Sequence, residues 1–349
     1  MKDNPKIDYK AIGKEISKFF QRKRFTSSYK PMLFQSILIN IKKNKVIESD
    51  GCYLISVDDL AKNFLKFNFI LFKRFKLKQL NRAKQSVKIY SIIEKFYSDV
   101  DYKKLKSKHI SNKIIEKVKT LFYRHVIFLL RKDMPIYDFY NKDKKLIPLK
   151  LKIKDEQEFK NLIKIDEVGF IGFTPIILDY IRYHFPVLEK ANLGVCTEFL
   201  EGFNTVPKLF TKLLVAAESF RFLRNISKKY KLKLYEYQDE KCFYCGQKFG
   251  ESPHADHFIP YNYLFESPIW NIVGSCSDCN LRKSDYLVNS DYLGKLQERN
   301  RDSKFQEKFS KLLEKYLGGD IEMINKELEQ HYHNCSIYFE FIPNFPNLI

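Results

Sequence analysis

Apolar residues recur at helical spacing through most of the first 230 positions. Residues 12–20 are amphipathic, and a helix opened by Ser28 would run to Asn40 with Met32, Leu33, Ile37 and Leu38 on one face. Over residues 46–56 the chain carries a Ser49-Asp50-Gly51 turn, which predicts a short hairpin, and Val57-Asp58-Asp59 reads as the start of another helix. Helical periodicity returns over residues 101–133, 170–190 and 206–229. Residues 150–154 alternate Lys-Leu-Lys-Ile-Lys, the pattern of a short strand with one apolar face. Beyond Ser290 three further helices are expected, over 292–298, 305–316 and 321–331. The pattern predicts a mostly α chain in three parts: a helical region at 1–236, a distinct module at 237–290 and a helical extension at 291–349. Helices with a small hairpin fit a winged-helix-like start to the first part.

Composition narrows the class. Of 349 residues, 44% are apolar and 30% charged, with only 12 Gly and 12 Pro, which excludes a disordered or collagen-like chain. The length suggests about two domains of ordinary size, each able to bury a core without disulfides. No apolar run reaches the roughly 18 residues a membrane helix needs. The nearest, at 64–75 and 121–130, are broken by Lys66, Lys73, Arg74, Arg124 and His125. The start, Met1-Lys2-Asp3-Asn4-Pro5, carries no apolar secretory core. The expectation is a cytoplasmic protein with reduced cysteines and no membrane insertion.

The formal charge of +20 points to a polyanion, most simply nucleic acid. The 31 Phe and 22 Tyr, like the lysines, have AT-rich codons, so genomic composition is a second source of the excess. The sharpest basic stretch holds Lys73, Arg74, Lys76, Lys78, Arg82, Lys84 and Lys88 without an acidic residue. Phosphate contact and a solvated helix face both account for it.

Chemistry concentrates near the middle of the second half. Cys242-Phe243-Tyr244-Cys245 and Cys276-Ser277-Asp278-Cys279 are two CxxC pairs, which seven cysteines in this length would rarely produce by chance. Four thiolates make a closed tetrahedral zinc site with no open position, so this zinc would be structural. Cys52, Cys196 and Cys335 are isolated and read as core residues. The 30 residues between the pairs contain Asp256-His257-Phe258-Ile259-Pro260 and then Trp270-Asn271, and Asn280 follows Cys279 directly. The clamp would draw a carboxylate, an imidazole and two amides together across two dozen positions.

This pattern, from Cys242 to Asp285, resembles an HNH endonuclease of the ββα-metal class, with the three named positions at His257, Asn271 and Asn280. Asn in the last position is a variation of the class. Upstream, Ser28-Tyr29-Lys30-Pro31 and Phe199-Leu200-Glu201-Gly202-Phe203-Asn204, with Val206-Pro207, are similar to text in bacterial defence and restriction-type HNH proteins. The resemblance implies a small zinc-clamped ββα-metal nuclease module in a mostly α chain. It implies His257 as general base, a task suited to an imidazole with an ordinary pKa near 6.5. Asp256 and Asn280 would hold Mg²⁺ or another divalent ion, which needs few protein ligands. Asn271 would brace the loop behind His257. Arg282 and Lys283, placed at the start of the following helix, would contact phosphate. DNA is the implied partner, and other defence-system proteins, as in Zorya-type systems, are a further implied class. The alternative is a zinc module that binds nucleic acid without catalysis, which would have no need of Asp256, His257 and Asn280 together.

Overall fold

The computed structural model describes residues 9–21, 28–79, 87–102, 105, 110–147, 168–218, 226–343 and 345. The chain is mostly helical with two small sheets. It forms two compact units: Met1–Asn204 with Leu209–Phe220, and Thr205–Lys208 with Arg221–Ile349.

The first unit begins with α1 (Tyr9–Phe20), whose Ile12, Ile16 and Phe19 are buried at the predicted spacing. Helix α2 (Tyr29–Lys42) differs from the one-faced helix expected, because it is buried all round from Pro31 to Ile41. Its polar residues are therefore paired inside. Gln35 Nε2 donates to Glu189 at 3.2 Å, and Asn192 Nδ2 donates to Gln35 Oε1 at 3.0 Å. Ser28 makes no cap bond. Its hydroxyl donates instead to Gln79 Oε1 at 2.7 Å, and Gln79 Nε2 reaches Asn68 and Tyr90.

The predicted hairpin is present as β1 (Ile47–Ser49) and β2 (Cys52–Ser56), and the Ser56 hydroxyl caps α3 (Val57–Phe69) by accepting from Asp59 N. A π-helical turn, Ile70–Arg74, continues α3. Helices α4 (Lys88–Tyr97), α5 (Asn112–Leu121) and α6 (Ile127–Asp133) follow, the last two joined by a second π-helical turn. The hairpin is not a free wing. With β3 (Asp138–Asn141) and β4 (Val168–Phe173) it forms an antiparallel sheet ordered β1-β2-β4-β3.

Strand β4 corrects the helix expected from residue 170 onward. A central strand covered on both faces reads as a continuous apolar run, and its period alone does not separate it from a buried helix. Gly172 lies between strands, where a Cβ would meet the Tyr140 ring at 2.2 Å and Leu54 at 2.8 Å. Helix begins only at α7 (Pro175–Tyr183) and continues through α8 (Phe185–Glu201) and α9 (Leu209–Ala216). The strand expected at 150–154 lies outside the described residues, as does Arg82.

The second unit opens with α10 (Lys228–Tyr237) and contains a two-stranded sheet, β5 (His254–His257) against β6 (Ile272–Ser275). Between these strands lies the short α11 (Tyr261–Leu264), and after them α12 (Ser277–Lys283). The three C-terminal helices are α13 (Ser290–Arg301), α14 (Ser303–Leu313) and α15 (Ile321–Ser336). Asp302 and Asp320 cap the last two by accepting from Phe305 N and Met323 N. Arg299 of α13 is buried and donates to Ile272 O at 2.6 Å and Trp270 O at 2.9 Å, which fixes the entry to β6. Burial pushes its guanidinium down to about 9. Among the described residues no helix is long and apolar enough to cross a membrane.

Candidate active site

Strands β5 and β6 and helix α12 make a ββα module, and the two CxxC pairs meet at one side of it. The first pair sits on a tight turn in which Gly246 N donates to Cys242 O at 2.9 Å and Gly246 takes a φ of +71°. Phe243 N donates to Gly274 O at 2.9 Å and ties this turn to β6. Cys276 caps α12, its sulfur accepting from Cys279 N at 3.5 Å.

The four sulfurs of Cys242, Cys245, Cys276 and Cys279 lie within 4.8 Å of one another, with Cys245 Sγ and Cys276 Sγ 3.9 Å apart. A tetrahedral site with Zn–S of about 2.3 Å sets its sulfurs about 3.8 Å apart, so the cluster fits zinc. Burial, and then the charge of neighbouring Cys242, push the Cys279 thiol well up. Four thiolates this close are stable only around a cation. Cys196 and Cys335 are buried, as expected of core cysteines, while Cys52 is half-buried at the start of β2.

Asp256 and His257 close strand β5. Neighbours on a strand face opposite ways, and here Asp256 is buried while His257 is half-buried. Two donors engage the same carboxylate oxygen. The Tyr244 hydroxyl donates to Asp256 Oδ2 at 2.6 Å, and Lys283 Nζ lies 3.2 Å from it. Lys283 Nζ also donates to His257 O at 2.7 Å, so one ammonium spans both residues. The His257 ring meets Tyr261 edge to face at 5.1 Å, and its Nε2 is 2.8 Å from Ser267 Oγ. Burial, then the Asp256 charge, hold the Tyr244 phenol well above its ordinary value, so it remains a donor.

Asn271 is fully buried and clamps the chain just after His257. Its Oδ1 accepts from Ile259 N at 2.8 Å, and its Nδ2 donates to Ile259 O at 3.0 Å. Its own carbonyl accepts from Phe258 N at 2.9 Å. Asn280 stands three residues before Lys283 on α12, hence on the face that meets β5 through Lys283. A carboxylate and an amide oxygen on facing elements are hard donors suited to Mg²⁺ or a similar ion.

The basic residues fall differently from expectation. Arg282 and Lys283 occupy the last turn of α12 rather than its start, because the helix begins at Ser277, inside the second CxxC pair. Lys283 is fully buried against Asp256 and His257 rather than presented to phosphate, while Arg282 is exposed with its guanidinium 5.8 Å from the Phe345 ring. In the first unit, Lys73 Nζ donates to Ser98 O at 2.5 Å and Arg74 lies over the Phe75 and Tyr102 rings. Lys76 and Lys78 are exposed, in the coil beyond the π-helical turn.

Three residues of the module escaped the sequence reading: Ser267 beside His257, Tyr244 on Asp256 and Arg299 behind β6. Tyr244 had a signal in its place between two zinc ligands. Ser267 and Arg299 had none, and the inward place of Lys283 had none either, since any lysine or arginine in this chain reads as surface.

Residues 242–286 match the HNH endonuclease family, and with them the chain carries an HNH domain beside its four-cysteine cluster. No curated protein matches the chain. Nor does any solved structure.

Proposed function

We propose, from the HNH domain at 242–286, that this protein is a metal-dependent endonuclease that hydrolyses DNA phosphodiester bonds. The observation that carries this reading is the joining of strand and helix by Lys283, which gathers Asp256, His257 and the helix face bearing Asn280.

His257 is the general base in this reading. Its Nε2 is 2.8 Å from the Ser267 hydroxyl, a contact that orients the imidazole for proton transfer at its other nitrogen. Asn271 keeps the loop after His257 in place through both polar groups of Ile259, so the ring is held rather than searched for. Asp256 and Asn280 would hold a divalent ion, which supplies Lewis acidity and charge stabilisation for the departing 3′-oxygen. Cys242, Cys245, Cys276 and Cys279 would hold zinc and fix both ends of the module. Arg282, with Lys76 and Lys78 of the first unit, are the exposed cations proposed to contact phosphate, and Lys73, Arg74 and Arg82 extend that set.

The biological setting we propose is restriction or anti-phage defence in bacteria, with the nuclease working beside partner proteins in a Zorya-like arrangement. The support is the similarity of the upstream motifs to bacterial HNH proteins of that kind. DNA or partner engagement is proposed for the N-terminal unit, on the strength of its exposed Lys76 and Lys78.

The test is conversion of supercoiled plasmid to nicked or linear DNA by purified protein, with Mg²⁺ or Mn²⁺ against EDTA. Cleavage is expected to need the ion and to fall at least a thousandfold in His257→Ala, with one zinc retained per chain. Full cleavage by that variant would remove His257 from the chemistry. Salt-sensitive DNA binding without scission under any divalent ion would favour the non-catalytic reading.

A further inference from the structure

We infer that Tyr244, inside the first zinc-binding turn, is a positioning residue for the ion-binding carboxylate: its hydroxyl holds Asp256 by Oδ2 and leaves Oδ1 as the oxygen for the divalent ion. The inference rests on the proposed nuclease site and deepens it.

Tyr244 is fully buried between Cys242 and Cys245, so its backbone is set by the cysteine turn. Its carbonyl is also held, accepting from the Tyr292 hydroxyl of α13 at 3.2 Å. Its ring packs edge to face against Phe243, Tyr292 and Phe345. A phenol fixed at the backbone and around the ring has one place to put its hydroxyl, and that place is Asp256 Oδ2 at 2.6 Å. Lys283 engages the same oxygen from the opposite element, α12. The carboxylate is thereby turned by two donors from two elements. One of them belongs to the cysteine turn, so a zinc held by the cysteines and a divalent ion held by Asp256 would be linked through a single side chain.

Partners of this kind typically alter metal affinity or activity by 10–100-fold when removed. Tyr244→Phe keeps the ring and deletes only the donor. Mn²⁺ binding to the zinc-loaded, DNA-free protein, read by electron paramagnetic resonance titration, is expected to weaken about tenfold. Zinc stoichiometry and DNA affinity in EDTA-free, Mg²⁺-free buffer are expected to stay the same. Raising Mn²⁺ should restore cleavage, which it would not do for a folding defect. In an Asp256→Ala background the same substitution should cost nothing further, because Tyr244 acts through that carboxylate.

Unchanged Mn²⁺ affinity in Tyr244→Phe overturns the inference, as does an equal extra loss in the Asp256→Ala background. If Tyr244→Phe lost its zinc, 3-fluorotyrosine placed at position 244 of the otherwise unaltered protein gives a second measurement. Its fluorine resonance should broaden with one equivalent of Mn²⁺, and a resonance indifferent to Mn²⁺ overturns the inference. Mn²⁺ bound at Asp256 with an affinity that depends on Tyr244, but with no DNA cleavage, would sink the nuclease reading alone.

Discussion

At the scale of single residues, the site is built from side chains that each do one thing to a neighbour. Asn271 is the clearest case, since both ends of its amide are committed to Ile259. Asn271→Asp keeps the acceptor for Ile259 N and turns the donor to Ile259 O into a second acceptor. A buried carbonyl left facing a carboxylate should cost more than the roughly 1–3 kcal/mol of a neutral unpaired group, measured by urea denaturation, and should lower cleavage along with stability. The four-cysteine cluster was legible from the spacing of the two CxxC pairs, and the HNH module from the motif that resembles that family. The hydrogen bonds that orient its side chains were not legible. Tyr244 meets Asp256 across 12 positions and Lys283 meets His257 across 26, and no local pattern says which of many tyrosines and lysines packs inward. Lys283 shows the cost of reading charge as surface: a buried ammonium here replaces solvent with a carboxylate and a carbonyl.

Between residues and the whole lie the elements, and at this scale the four-cysteine cluster is the strongest constraint. Two short strands and a seven-residue helix bury little surface by themselves, and the cysteines join their ends. Structural zinc typically contributes about 10 kcal/mol or more to such a fold. Stripping it with a chelator at neutral pH should abolish the thermal transition of the second unit and leave that of the first in place. Calorimetry of the chelated and zinc-restored protein checks this, and two unshifted transitions after complete zinc removal would contradict it. The helices here were largely legible, α1 and α13 to α15 above all, since their buried positions follow the 3.6 period. Strand β4 was not, because the partners that make it a strand, β2 and β3, lie over a hundred and some thirty residues earlier.

For the whole molecule the charge of +20 sets the expectation. If it is a DNA footprint, affinity should fall steeply with salt, with a slope of about −0.9 for each phosphate neutralised. Fluorescence anisotropy with a short duplex across a salt series gives that slope, and one shallower than about −2 would assign the lysine excess to composition. The route of the chain has a separate practical meaning. It enters the second unit at Thr205–Lys208, returns to the first for Leu209–Phe220 and leaves again at Arg221. That four-residue visit is anchored, with Thr205 N donating to the Tyr338 hydroxyl at 2.8 Å and Lys208 paired with Glu266 at 2.9 Å. No single cut therefore releases the second unit intact. A fragment starting at Arg221 forfeits the anchored segment, and one starting at Thr205 carries α9 with its buried Leu209, Leu213 and Ala216 stripped of their native surroundings. Moving the HNH-bearing unit onto another body would face the same obstacle, because its chain is interleaved with that of the first unit.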